Sequence, residues 1–443
     1  MVDEWQMVPI SEIAASSGMG PFGSSIKVET FVPEGVPIIS GQHLHGAFLD
    51  ESPGFNFITP THAARHPKSI CRAGDIIFTH AGTIGQVALI PSDSFYKTYI
   101  LSQRQYYLRV NHSVADPAFV MRFFKTPEGR HQLLANATQV GVPSISRPLT
   151  NLRTIRLPLP PLPEQRAIAH VLGAIDDKID LNRRMAGTLE EMARALFTSW
   201  FVRFDPVRAK MAGQPTGLPA HIEALFPDAL VDSELGEVPE GWGVGALSDL
   251  ATAPRSSVDP RGLPPETQYL GLEHLPRRSW AIAERGTTAD VESSKSVVSR
   301  GDILFGKIRP YFHKVGPSPI DGVCSADILV FKPIEVADYA YVLCLVSSDA
   351  FVSYATQVSN GAKMPRVTTT DALRYLLAVP PATIRSAFQM TVLPLVSSLL
   401  AACDQSETLT ALRDTLLPKL VSGEVRITDP EAFLRRAGLD TAA

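Results

Sequence analysis

The chain is written twice, and this internal repeat constrains its fold more than any single motif does. Each copy opens with a Trp-led segment, Trp5-Gln-Met-Val-Pro-Ile-Ser-Glu-Ile-Ala14 and then Trp242-Gly-Val-Gly-Ala-Leu-Ser-Asp-Leu-Ala251. An extended apolar stretch follows, Val36 to Leu44 against Thr267 to Leu275. Next come Gly74-Asp-Ile-Ile-Phe78 and Gly301-Asp-Ile-Leu-Phe305, in which a Gly-Asp turn leads into branched and aromatic residues suited to a strand. Gln139 to Arg147 matches Gln357 to Arg366 with a single-residue insertion. Both copies end on a double proline, Pro160-Pro161 and Pro380-Pro381, a boundary because proline continues neither a strand ladder nor a helix interior.

A long helix is predicted after each double proline. In the first, apolar or small residues alternate by four and three through Ile168, Leu172, Ile175, Ile179, Asn182, Ala186, Leu189, Ala193, Leu196 and Trp200, the spacing of a coiled-coil seam. The second copy repeats the register through Phe388, Val392, Leu395, Leu399, Ala402, Ser406, Leu409, Arg413, Leu416 and Leu420, with Arg413 breaking the pattern. Two amphipathic helices that each cap their own domain would satisfy this spacing, but two equal seams in one register favour packing against each other. At about 1.5 Å per residue, Glu164 to Trp200 makes a rod of roughly 55 Å. Asn182 reads either as a register device or as a polar residue satisfied by water. Pro394 predicts a kink unless a partner helix holds the freed carbonyl.

The expected architecture is therefore two tandem domains with strand and turn patterns, each followed by a long helix, with the two helices packed against each other. The boundaries follow the motifs: residues 1–157 and 238–380 for the domains, 158–203 and 381–423 for the helices, 204–237 for a central connection and 424–443 for a tail. A length of 443 residues agrees, because single cores rarely grow past about 250 to 300 residues. With 45% apolar and 19% charged residues, no long apolar run and no cationic leader, the expected compartment is the cytoplasm, with no membrane. Cys71, Cys324, Cys344 and Cys403 are scattered and read as buried thiols.

The net charge of −4 argues mildly against nucleic acid, but the acidity is concentrated in the connection. Residues 201–237 carry 3 basic and 6 acidic side chains, against 12 and 11 in residues 1–155 and 14 and 15 in residues 238–380. Any DNA binding would use local clusters of Arg and Lys, helped by a partner that contacts phosphates.

Two globular repeats, each followed by a long helix, resemble the specificity subunits of type I restriction-modification systems. The local wording is similar too. Pro158-Leu-Pro-Pro-Leu-Pro-Glu-Gln-Arg-Ala-Ile-Ala169 resembles the start of that family's first conserved helix, and Leu416-Leu-Pro-Lys-Leu-Val-Ser-Gly-Glu424 the end of its second. Phe204-Asp-Pro-Val-Arg208, Leu225-Phe-Pro227 and Val231 to Trp242 resemble its central connection. One departure is Ala382-Thr-Ile-Arg385, where the first copy has Leu162-Pro-Glu-Gln165. The resemblance implies a mixed α/β (α+β) fold in which two target-recognition domains are separated by two long helices packed as an antiparallel coiled coil. It also implies a non-catalytic subunit that binds double-stranded DNA and assembles with two methyltransferase subunits and with restriction/translocase subunits. S-adenosylmethionine, ATP and Mg would then belong to the partners, and no cofactor is expected in this chain. The alternative is a protein-binding scaffold, or a specificity module of a related defence complex without modification activity.

Two motifs could mislead. Gly301-Asp-Ile-Leu-Phe-Gly-Lys307 begins like a phosphate-binding loop, but Ile308 stands where a Ser or Thr would hold magnesium. His62 and His66, with Pro67 next to them, lack a Cys or carboxylate that would complete a metal site, so no metal is expected. The amino-methyltransferase motif Asn/Asp-Pro-Pro-Tyr and a glycine fingerprint for a nucleoside are absent from the sequence, which favours a binding protein over an enzyme.

Bases are read chiefly by Arg or Lys on guanine and Asn or Gln on adenine, while phosphate contacts set position. Candidate readers in the first domain are Lys27, His43, His45, Thr79, His80, Thr83, Gln103, Arg104, Ser144 and Arg147. In the second they are Lys307, Arg309, Tyr311, Lys363 and Arg366, basic residues interleaved with apolar or aromatic ones. Arg277 and Arg278 read as a solvated turn.

Overall fold

The repeated Gly-Asp pairs show how each domain is built from its sequence. Gly74 and Gly301 adopt φ of 84° and 86°, which glycine takes without strain. Asp75 then accepts from the Arg72 backbone N–H at 2.9 Å and from Arg109 Nε at 2.7 Å. Asp302 does the same with the Ser299 N–H at 2.8 Å and Lys332 Nζ at 3.1 Å. Each carboxylate thus closes a turn and ties it to the neighbouring strand.

The computed structural model describes residues 5–21, 25–138, 141–427 and 429–439. Gln139 and Val140, part of one repeat motif, lie outside the described residues. The chain divides into two units, one of residues 1–178 with 409–443 and one of residues 179–408.

In the first unit, Gln6–Pro9 pairs antiparallel with Arg156–Leu159, so the domain closes just before its double proline. One sheet has the order Ala14–Met19, Gln105–Val110, Asp75–Thr79, Val87–Leu89. In another, Val36–Ile39 runs parallel to Tyr99–Leu101, which also pairs with Ile70–Cys71. Short helices Pro117–Phe123, Pro127–Leu134 and Pro148–Thr154 follow, the first two capped by the side chains of Asp116 and Thr126.

The second unit repeats this plan, with Ser257–Val258 as an added strand on its five-stranded sheet. Gly243–Ala246 closes on Leu376–Val379. Ala251–Thr252, Ile328–Pro333, Ile303–Gly306 and Val315–Pro317 form the four-stranded sheet, and Gln268–Leu270 runs parallel to Gly322–Ser325. The mixed α/β class expected from the sequence is observed.

The long helices span Leu162–Phe197, continued by a π-helical turn at Thr198–Val202, and Ala382–Ser422. In the first unit Glu164 meets Arg426 and Asp176 meets Arg413, so the paired segments run antiparallel. In the second unit, Phe197 and Trp200 pack on Phe388 with ring centroids 6.2 and 5.6 Å apart. Among the seam positions, Ile168, Leu172, Ile175, Ile179, Asn182, Ala186, Ala193, Trp200, Phe388, Val392, Leu399, Ala402, Ser406, Leu409 and Leu420 are buried. Leu189, Leu196, Leu395, Arg413 and Leu416 are half-buried. The helix Ala382–Ser422 runs unbroken past Pro394, which itself supplies no N–H to it.

The divergent start of the second helix is rebuilt with different chemistry. Gln165 accepts from the Asp116 N–H at 2.8 Å and donates to the Pro160 carbonyl at 2.8 Å. Arg385 takes its place, donating to the Asp338 carboxylate at 2.6 Å and to the Pro380 carbonyl. One 18-residue window of this helix has mean hydropathy 1.6, enough for a membrane span by composition, but its Phe388, Val392, Val396 and Leu399 lie in the core of the second unit.

Candidate nucleic-acid interface

In each domain, three loops far apart in sequence are stitched together by the same backbone hydrogen bonds. In the first, His80 N donates to the Arg104 carbonyl at 2.9 Å, Ile145 N to the His80 carbonyl at 2.8 Å, and Gly82 N to the Pro143 carbonyl at 2.9 Å. In the second, Lys307 N donates to the Asp327 carbonyl at 3.0 Å, Val367 N to the Lys307 carbonyl at 3.1 Å, and Arg309 N to the Pro365 carbonyl at 2.7 Å. Isolated bridges Ala81–Ser144 and Ile308–Arg366 complete the match. Candidate residues from separate segments are thereby brought together: His80, Thr83, Gln103, Arg104 and Ser144 in one domain, Lys307, Arg309, Lys363 and Arg366 in the other.

The bridges correct one detail of the sequence alignment. Ser144, not Arg147, is the counterpart of Arg366, because the irregular insertion lies nearer the start of that loop. Arg147 is exposed, at φ 47° just before the helix Pro148–Thr154.

The chemistry on the shared frame differs between domains. In the first, His80 Nε2 lies 3.1 Å from the Gln103 carbonyl, and burial lowers its pKa, which favours the neutral ring. Arg104 is exposed, and its side chain makes no hydrogen bond or ion pair among the described residues. A cavity of about 310 Å³ beside it has apolar walls from Ile26, Phe31 and Ile38 and polar ones from Ser40, Gln103 and Arg104. In the second domain Asp327 occupies the position of Arg104 and lies 3.7 Å from Lys307 and 3.6 Å from Arg366. Lys307 also donates to the Ala326 carbonyl, as His80 does to that of Gln103. Tyr311 is 49% exposed and stands edge-on to Phe312, over which Arg277 stacks at 3.9 Å. Arg277 and Arg278 form the exposed turn expected from the sequence, with Arg277 stacked on Phe312 and Arg278 paired with Asp349 at 3.1 Å.

Two candidates face inward. His43 is 1% exposed, stacks on Phe55, accepts from the Ser40 N–H at 3.0 Å and donates from Nε2 to the Gly54 carbonyl at 2.9 Å. Its repeat partner His274 accepts from the Gly271 N–H at 3.0 Å, so the repeated His-Leu is a turn-closing device. Thr79 is 2% exposed and bonded to Gln86 and Gln105. Thr79 ends the strand Asp75–Thr79, which is buried on both faces, and His43 lies in the short 3-10 turn Gly41–His43, so neither is the exposed loop residue expected from the sequence. Lys27 is exposed next to the Ile26 wall of the cavity, and His45 and Lys363 are exposed. Asp327 was missed by the sequence reading. Its signal was its place directly before Ile328-Leu-Val-Phe, as Arg104 precedes Gln105-Tyr-Tyr-Leu.

Residues 2–191 match the family described as Type I restriction modification DNA specificity domain. The chain is 22% identical over 409 residues to the type I restriction enzyme HindI specificity subunit of Haemophilus influenzae, covering 81% of this chain and 88% of that protein. It is 23% identical over 458 residues to the MjaIX specificity subunit of Methanocaldococcus jannaschii, covering 96% and 94%. The fold is similar to the crystal structure of the S subunit of a type I restriction-modification system from M. genitalium, with TM-score 0.59 and 15% identity over 95% of this chain and 97% of that one. Residues 2–191 thus match the type I restriction modification DNA specificity domain, and the chain is similar along nearly its whole length to type I restriction enzyme specificity subunits.

Proposed function

We propose that this chain is the non-catalytic DNA-reading subunit of a type I restriction-modification complex, each domain reading one half of a bipartite target. The observation that carries this is the three-loop cluster, built on one backbone frame in both domains but furnished with different charges. A shared frame presents loops to DNA in the same way, and different side chains read different bases. The half-sites are therefore unrelated in sequence.

The 36-residue and 41-residue helices act as the spacer between half-sites, which fits a gap of about one DNA turn, roughly 34 Å. Their outer faces dock two methyltransferase subunits, and Leu181, Met185 and Met192 on the first helix, 42–50% exposed, supply apolar contact area for this. Restriction/translocase subunits complete the complex. S-adenosylmethionine, ATP and Mg serve the partners, and the assembly works in the cytoplasm.

The test is to co-express the chain with its modification subunit and map methylated adenines across the host genome by single-molecule sequencing. A split motif with a fixed gap is expected. A stable complex that leaves no methylation would favour a scaffold that binds proteins only.

A further inference from the structure

The corresponding loops of the two domains share a backbone path that suits glycine in one and costs strain in the other. After Asp75–Thr79 the chain takes positive φ at Gly82 (87°) and Gly85 (82°), and after Ile303–Gly306 at Arg309 (49°) and His313 (53°). A side chain at positive φ crowds the backbone, and such strain persists where the surroundings or a function hold it. His313 has a structural use: it is buried, and its Nε2 donates to the Ser347 carbonyl at 2.8 Å, at the end of the helix Tyr339–Val346.

Arg309 has no such use. Its Nε is buried without a hydrogen-bond partner, and Nη2 reaches only the Lys363 carbonyl, at 3.4 Å. Among the described residues no carboxylate pairs with it, whereas Asp327 holds Lys307 and Arg366 and Asp349 holds Arg278. The Phe312 ring lies behind its guanidinium, 5.7 Å from centroid to Cζ. In the first domain the same spot also receives a guanidinium, but from the opposite loop: a Cβ on Gly82 would lie 3.4 Å from Arg104 Nη1.

We propose that Arg309 is the specificity-determining residue of the second domain and reads a guanine through its N7 and O6. The assignment rests on the DNA-reading function above. A planar fork that lacks a protein carboxylate matches that pair of acceptors, which an ammonium cannot span with fixed geometry. The strained backbone is retained because it delivers the fork from a fixed loop.

The test uses the full chain co-expressed with its modification subunit, as wild type, Arg309→Gly and Arg309→Lys. The wild type defines a split motif. With Arg309→Gly, one guanine in one half-site becomes degenerate, and discrimination at that base, measured on duplexes carrying the mapped motif, falls about 10- to 100-fold. The other half-site stays unchanged. Arg309→Lys keeps the charge and still loses the guanine, and the melting temperature of Arg309→Gly does not fall, because glycine suits the backbone. Unchanged discrimination in both variants overturns the assignment. So does equal weakening on every sequence with rescue by Lys, the mark of a phosphate contact. If the wild type yields no split motif, the reading function fails, and the role of Arg309 fails with it.

Discussion

Removing the Asp176 carboxylate should destabilise the first unit far more than removing it together with its partner. Arg122 is 3% exposed and donates from Nη1 to Asp176 at 2.7 Å, while its Nε and Nη2 are buried without partners. Arg413 contributes a weaker bond to Asp176 at 3.2 Å and keeps Asp414 at 2.8 Å on a side chain that is 30% exposed. In Asp176→Ala, Arg413 turns to Asp414 and water, so the cost falls on the stranded guanidinium of Arg122, about 3 to 5 kcal/mol. The double variant Arg122→Met/Asp176→Leu removes charge and counter-charge together and should lie within about 1 to 2 kcal/mol of wild type. The chain itself carries the apolar solution: Cys344, Val396 and Ala193 fill the matching positions of the second unit, all buried, with the Cys344 thiol on the Ala193 carbonyl. Hydrogen exchange read by mass spectrometry on the full chain gives opening free energies for peptides of the first unit, with those of the second as control. A single variant that costs under about 1 kcal/mol, or a double variant as unstable as the single, would refute the reasoning.

Three further outcomes are expected. Burial, aided by Arg194 and Arg278 and opposed by Asp349 and the Ser347 carbonyl, lowers the His313 pKa below its usual 6.5. The unfolded chain therefore binds the proton more readily below that value, and stability falls as the pH drops below about 6.5. His313→Asn, which tolerates positive φ, should flatten the fall in melting temperature between pH 7 and pH 5; an identical pH slope would count against the buried ring. A Cβ at Gly18 would sit 2.0 Å from the Lys68 carbonyl and 2.7 Å from the Tyr107 ring, so Gly18→Ala should cost about 2 kcal/mol or more by urea titration. Burial raises the pKa of all four free thiols, Cys324 to about 12 and Cys403 to about 11, so iodoacetamide at pH 8 should label the folded chain slowly and the urea-unfolded chain fully.

The parts of this fold that could be read in the sequence are those that repeat. Gly74-Asp75 and Gly301-Asp302 need one residue at positive φ and one carboxylate, and both requirements leave a fixed pair of letters. The helix seams were legible because burial recurs at a spacing of three and four residues. Arg385 in place of Gln165 altered the wording at the start of the second helix, since two unlike side chains satisfy equivalent proline carbonyls, while the double proline still marked where the helix begins. The reading loops were legible only as composition. Whether a polar residue in or near a strand end faces out or in depends on partners distant in sequence, here Gly54 for His43 and Gln86 and Gln105 for Thr79, so both looked like their exposed neighbours.

The same physics explains why the reading loops can change while the fold stays constant. The three loops of each domain are joined through backbone N–H and carbonyl groups, which every residue but proline supplies in full, so side chains there are released from holding the structure together. His80 or Lys307, Arg104 or Asp327, and Ser144 or Arg366 occupy equivalent places with no change in those bonds. Gly82 and Arg309 mark the limit of that freedom. There the backbone itself restricts the choice to glycine, or to a residue whose use outweighs its strain. A target-changing substitution should therefore be tolerated at positions with negative φ on these loops, and at positive φ should cost stability unless it moves toward glycine.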